Sequence, residues 1–218
     1  MKAGFGATKV ARAAGIAGRI DVRPLTAARW ADLTDLFDRP GASIARGCYC
    51  MFYRRSGAYT PPPGLTHAQA NKRDLKALVD RGVVPGLIGY EDRRPVGWIS
   101  LGPREDYAKL VRSPVMKPVD DKPVWSIVCF FVDAKVRHRG IAHALLEGAV
   151  AWAREQGVTL LEAYPQDKKS GDDNMWFGAK PMFDRAGFVE VARRKPARPV
   201  MRKTVGPAHG KTRREPSA

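Results

Sequence analysis

The chain is short of cysteine, of long apolar runs and of acid. Its three cysteines cannot build a disulfide framework: Cys48 and Cys50 stand too close to bridge comfortably, and Cys129 lies inside an apolar run. With no secretory segment at the front, a reducing, cytoplasmic setting is expected. The longest apolar stretch, Val124 to Val132, spans nine residues. A membrane-spanning helix needs roughly 20, so no membrane partner is expected. Histidine is scarce too. Cys48-Tyr49-Cys50 has the spacing of half a metal site, but Cys129, His67, His138, His143 and His209 form no further local pair, and no metal is expected.

The shortage of acid is local. Residues 1–19 carry Lys2, Lys9, Arg12 and Arg19 and no carboxylate, and residues 193–218 carry nine Lys or Arg against Glu215 alone. The two ends thus hold most of the net charge of +16, and the body is nearly balanced. Such ends hold nucleic acid or anionic surfaces by counterion release, so any nucleic-acid contact is expected to be non-specific and through the termini. We expect a flexible basic leader (1–18), one folded domain (19–204) and a flexible basic tail (205–218).

What is present is an ordinary globular core, with 44% hydrophobic residues in 218. Residues 20–25 read as a strand stopped by Pro24, and Thr26 as the cap of a helix to Asp38. Residues 40–65, broken by glycines and Pro61-Pro62-Pro63-Gly64, read as irregular but dense in large side chains. A helix follows over Thr66–Arg81, then a β-hairpin across Leu87–Leu101 with its turn at Glu91–Arg94. A proline-rich connection (103–123) precedes the apolar strand Val124–Val132, a helix over 141–156, a strand at Val158–Ala163 and a short helix at Pro181–Ala186. A last hairpin pairs Phe188–Ala192 with Val200–Thr204. This alternation predicts an α/β or α+β sheet with helical cover.

The stretch from Val132 to Ala142 joins the apolar strand to an amphipathic helix. A helix start offers unpaired N–H groups and a positive dipole end, which suit an anionic phosphate. Gly140 and Ala142 keep side chains small where a ligand would approach the backbone, and Arg137 and Arg139 add charge. The pattern Arg137-x-x-Gly140-x-Ala142 is neither the phosphate loop of nucleotide hydrolases nor a dinucleotide fingerprint. On its own it also suits a solvated basic turn capping an ordinary helix.

Here the chain resembles the GNAT superfamily of acyl-CoA N-acyltransferases, whose pyrophosphate motif Gln/Arg-x-x-Gly-x-Gly/Ala matches Arg137, Gly140 and Ala142. The later family signature, an aromatic, three residues and Gly-Phe, matches Phe183 and Gly187-Phe188. The resemblance spans about residues 19–204 and is specific only over 124–190. It implies a mixed, mostly antiparallel central sheet flanked by helices, with a V-shaped splay between the strands Ser126–Val132 and Val158–Ala163. It also implies acetyl-CoA, or another acyl-CoA, as co-substrate. Phe131, Val132, Arg137, His138, Arg139, Gly140, Ile141 and Ala142 would hold it. The reaction would be direct attack of an amine on the thioester in a ternary complex, with a backbone N–H of Cys129 to Phe131 facing the carbonyl oxygen.

The chain departs from the family at two positions. Phe183 stands where many members place a tyrosine acid, which leaves Tyr164, Tyr49 or water to protonate the leaving thiolate. Val128 and Cys129 stand where an acid is often found, which makes Glu162 the leading base. Cys129 and Cys50 are alternative thiol nucleophiles, with buried packing as the plainer reading of Cys129. Cys48, Tyr49, Cys50 and Arg54 are expected to wall the acceptor pocket, with Asp172 and Asp173 at its mouth. The acceptor is read as a primary amine of a small molecule. A non-catalytic acyl-CoA-binding or regulatory module, and a nucleic-acid-associated protein acting through its ends, are the alternatives. Homodimerisation through the terminal strands or the 40–65 segment stays open.

Overall fold

The computed structural model of the chain describes residues 20–168 and 175–206. The expected leader, nearly all of the expected tail, and Asp172 and Asp173 lie outside the described residues.

Seven strands form one sheet: β1 (Asp21–Pro24), β2 (Gly86–Glu91), β3 (Arg94–Pro103), β4 (Trp125–Val132), β5 (Leu160–Ala163), β6 (Val189–Lys195) and β7 (Arg198–Thr204). Their order is β1-β2-β3-β4-β5-β7-β6. Every neighbouring pair is antiparallel except β4 and β5, which run parallel. The expected mixed, mostly antiparallel sheet is the one observed. The crossover between the two parallel strands is helix α5 (Ile141–Glu155), as a parallel connection requires.

Strand alternation sends side chains to two covers. Leu87, Ile99, Ile127 and Phe130 join Leu145, Leu146, Ala149 and Ala153 of α5 in one core. Ile88, Tyr90 and Trp98 face the other way. They pack with Leu33, Leu36 and Phe37 of α1 (Trp30–Asp38) and with Leu75 and Val79 of α3 (His67–Asp80). Helix α5 sits close because glycine permits it: a Cβ on Gly148 would stand 2.6 Å from Val22 of β1. Thr66 and Gln69 close a reciprocal capping box at the start of α3.

Local structure departs from the sequence reading at four points. Thr26 makes no side-chain cap, and a 3-10 turn (Ala27–Arg29) precedes α1. The segment 40–65 contains a helix, α2 (Ser43–Cys48). The 103–123 connection contains a 3-10 turn (Arg104–Asp106) and the short α4 (Ala108–Val111). The fifth strand begins at Leu160, because the Val158 amide is spent on Ala153 O at the close of α5 (3.0 Å). A last helix, α6 (Lys180–Arg185), leads into the β6–β7 hairpin.

Candidate active site

Strands β4 and β5 pair only at Trp125–Leu161, Ser126–Glu162 and Ile127–Ala163. Beyond Ile127 they part, and among the described residues no strand flanks β4 on that side from Val128 to Val132. A bulge against β3 falls at the same place: Ile127 faces Leu101 and Cys129 faces Ser100, so Val128 is the extra residue that bends β4 away. The Phe130 N–H, at the centre of the freed edge, donates to the Trp176 carbonyl at 2.6 Å. A cleft of about 720 Å³ opens along this edge, from the start of α5 to the end of α2.

At one end lies the turn from Val132 to Gly140. The Asp133 amide donates to Val96 O, and its carboxylate accepts from the Lys135 amide and pairs with Arg39 (2.9 Å) and Arg94 (3.2 Å). Burial opposes the charge on Asp133, but these donors hold the carboxyl below the ordinary aspartate range. The turn is therefore anchored from both sides. His138 (φ 61°) and Gly140 (φ 80°) adopt left-handed backbone, and α5 begins with no side-chain cap and no acid in its first turn. Its first N–H groups and dipole are left for an anion. An added Cβ at Gly140 would meet nothing within 4 Å among the described residues, so the space in front of the turn is open. Phe131, Val132, Arg137, His138, Gly140, Ile141 and Ala142 all line the cleft. Arg139 does not: its guanidinium turns to Glu91 on β2 (2.6 Å).

At the other end stand three sulfurs. Cys48, Cys50 and Cys129 line the cleft beside Phe37, Phe52 and Tyr53, and all three thiols are free. Helix α2 ends in two successive left-handed residues, Tyr49 (φ 43°) and Cys50 (φ 51°), a conformation costing about 1–2 kcal/mol per residue without glycine. Packing sustains it: the Tyr49 ring is buried against Phe37 (5.2 Å) and Trp30 (6.2 Å). The Trp98 indole N–H donates to Cys50 Sγ at 3.2 Å. The Cys129 thiol donates to the Phe130 carbonyl (3.7 Å). Its closeness leads the influences holding Cys50 below the ordinary thiol range; burial opposes it, and Trp98 and the Arg54 charge add to it. The same closeness, with burial, pushes Cys129 up. Burial, with the neighbouring Cys50, raises Cys48 to about 11, and burial raises the Tyr53 phenol to about 12. Tyr49 and Arg54, expected in the acceptor wall, stand behind it. Arg54 pairs with Asp106 (3.0 Å) and donates to the Tyr107 hydroxyl (3.2 Å).

The sequence profile of the Acetyltransferase (GNAT) family matches residues 51–175. The chain belongs to the GNAT family. The GNAT domain of S. lividans PAT is similar in structure at 19% identity and a TM-score of 0.54, over 92% of this chain and 99% of that one. An N-acetyltransferase from Staphylococcus aureus Mu50 is similar at 14% identity and 0.50, over 86% and 99%. A GNAT-family protein from Desulfovibrio desulfuricans is similar at 17% and 0.50, over 86% and 99%. These likenesses establish the fold. No curated protein matches the chain.

Two of the catalytic residues expected of this GNAT chain are placed elsewhere. Glu162 is fully buried and turned away from the cleft, with every bond internal. It pairs with Arg104, accepts from Tyr164 OH (2.7 Å) and from Arg202 Nε (2.8 Å), while Arg202 also holds Asp120 (2.7 and 2.9 Å). Tyr164 is fully buried in the same network, its hydroxyl 3.0 Å from Ser126 Oγ. The reason is that β5 is a central strand covered on both faces, so a carboxylate there is buried whichever way it points. Of the three, only Cys129 reaches the cleft. Phe183 is core, edge-on to Phe130 (6.0 Å) and Phe188 (5.1 Å). Tyr53, inside the stretch from Cys48 to Arg54 expected to wall the acceptor pocket, completes the wall with Met175 and Trp176, which sequence reading did not single out. The aromatic density around residues 49–53 was the one signal pointing to Tyr53. Among the described residues no group of three or more His, Cys, Asp or Glu could hold a metal, and no helix is long and apolar enough to cross a membrane.

Proposed function

We propose that the chain transfers an acetyl group from acetyl-CoA to a primary amine of a small molecule, by direct attack in a ternary complex. The observation that carries this reading is the continuity of one cleft, with an anion-accepting turn at one end and a thiol- and aromatic-lined chamber at the other, joined by the open edge of β4. The turn from Arg137 to Ala142 suits a pyrophosphate. The freed edge of β4 suits an extended pantetheine arm, which would add to it as a strand does. The Phe130 N–H sits where it could meet a thioester carbonyl, once the Trp176 carbonyl yields it. The chamber suits an acceptor with an apolar part, held by Phe37, Phe52 and Tyr53 so that the amine meets the carbonyl in a fixed orientation. Burial raises the Tyr53 phenol to about 12, so near neutral pH it would keep its proton and could meet the leaving thiolate.

Two measurements test the reading. Calorimetry with acetyl-CoA should give micromolar-range binding, about −8 kcal/mol, and Gly140→Asp should abolish it by putting a carboxylate in the phosphate seat at a left-handed position. A panel of aralkyl, aliphatic and amino-sugar amines, read by release of free CoA thiol, should then yield an acceptor. No binding by the folded wild-type chain rejects the proposal. Binding without turnover across the panel favours the acyl-CoA-binding module, which the burial of Glu162 and the phenylalanine at 183 would then explain.

A further inference from the structure

The cleft proposed above to hold an acyl-CoA carries a second cation that the turn before α5 does not account for. Among the described residues its lining holds two arginines and no carboxylate. One is Arg137, in the turn itself. The other is Arg185, the last residue of α6, and it reaches the cleft from a different helix.

The fold fixes the base of that side chain. Gly178, just before α6, has left-handed backbone (φ 76°), and a Cβ there would stand 2.8 Å from Met182 Cε and 3.5 Å from the Phe130 ring. Glycine thus lets the segment lie against β4. The Gln166 amide donates to Gly178 O and the Lys180 amide to Gln166 O, each at 2.8 Å. At the far end, the Phe188 amide donates to Phe183 O (3.0 Å) and Lys203 Nζ to Ala186 O (2.7 Å). Met182 is buried in the core that also holds Ile141 and Leu145 of α5. Arg185 follows Met182 by three residues, so the two share one helix face, and both line the cleft. The charge of Arg185 is not spent on the fold. The adjacent Asp184 is held by Lys180 (2.9 and 3.0 Å), and Glu190 by Arg193 (2.6 Å). Arg185 itself has no hydrogen-bond or ion-pair partner among the described residues.

A pyrophosphate at the turn would be met by Arg137 and by the first N–H groups of α5. An uncompensated guanidinium on α6 calls for a second anion on the same ligand. An acyl-CoA brings one: the phosphomonoester on its ribose, with a charge of about −1.5 to −2 near neutral pH and acceptor oxygens that suit a guanidinium fork. We propose that Arg185 binds this ribose phosphomonoester, so that the chain distinguishes CoA from its 3′-dephospho form. The inference rests on the acyl-CoA part of the reading above, and not on the acceptor or on turnover.

The test is calorimetry on the full chain with CoA and with 3′-dephospho-CoA, at one fixed salt concentration. The wild type should bind CoA about tenfold more tightly than the dephospho form. Arg185→Ala should bind the two alike, at the wild-type affinity for 3′-dephospho-CoA, with its melting temperature unchanged. Arg185→Lys, which keeps the charge and loses the fork, should recover part of the preference. Arg112→Ala removes an exposed charge outside the cleft lining and should keep the preference whole. An Arg185→Ala variant that still prefers CoA as the wild type does overturns the proposal. So does one that loses the same factor for both ligands, since Arg185 would then serve the pyrophosphate. A wild type that binds both ligands equally well overturns the proposal and leaves the acyl-CoA reading standing. A folded wild type that binds neither shows that the reading itself has failed, and the proposal falls with it.

Discussion

The two halves of β4 are built from similar residues and put to opposite uses. From Trp125 to Ile127 the strand is paired on both sides, and the polar groups beside it close on one another: Ser126, Tyr164, Glu162, Arg104, Arg202 and Asp120 form one chain of bonds. From Val128 to Val132 one edge is free of strand neighbours among the described residues, and the groups beside it, the Cys50 sulfur and the turn before α5, face a cleft. In this sheet the carboxylate beside the paired half is spent on the fold. The thiols beside the open half line the cleft.

The largest effect that would test this contrast is on stability. Glu162→Ala takes the buried carboxylate from Arg104 and Arg202, leaving Arg202 with Asp120 alone. Removing one partner of such a pair costs about 3–5 kcal/mol. Urea unfolding should show that loss, while the folded fraction binds acetyl-CoA as before. A variant of full stability but lost turnover would instead return Glu162 to the chemistry. Next comes Arg137→Ala in the turn, expected to weaken acetyl-CoA about tenfold, or ~1.4 kcal/mol, with the melting temperature nearly unchanged. The smallest is acid sensitivity. Arg202 holds Asp120 at about 2, below the ordinary aspartate value of about 3.9. A depressed carboxylate stabilises the fold above its unfolded pKa, and the benefit is lost as pH falls through the folded one. Wild-type stability should therefore decline between about pH 4 and pH 2. Asp120→Asn should be less stable at neutral pH and lose less over that window.

The turn at Arg137–Ala142 was legible because its chemistry is local. A left-handed backbone at 140 asks for glycine, a close backbone approach asks for a small residue at 142, and both requirements sit in neighbouring letters. The helix over 141–155 was legible for a similar reason, since periodicity is a short-range property, whereas the mixed sheet came from the family resemblance and its strand order from the structure alone. Glu162 was not. Alternation along a four-residue strand says that the side chain points to one face; what covers that face is decided by Arg104 and Arg202, far away in the chain. Lone charges within otherwise apolar strands, Glu162 in β5 and Arg202 in β7, were the available sign that the two belong together. Helix α2 was hidden because it buries no residue of its own and so shows no apolar stripe. The direction of the Arg139 side chain was not legible because a loop arginine can swing either way, and Glu91 on the neighbouring hairpin takes it.

One backbone bond bears on what the open edge of β4 can accept. The open half of β4 is a strand edge in the middle of a sheet, the kind of surface that recruits stray extended chain. The Trp176 carbonyl covers the N–H at its centre, so a newcomer must displace a bond already made. A passing peptide gains little by the exchange, because one hydrogen bond replaces another. Under the acetyl-CoA reading proposed above, a molecule that also brings a pyrophosphate to the far end of the cleft would gain the anchoring that tips the exchange, and the bond would sort visitors by length and charge.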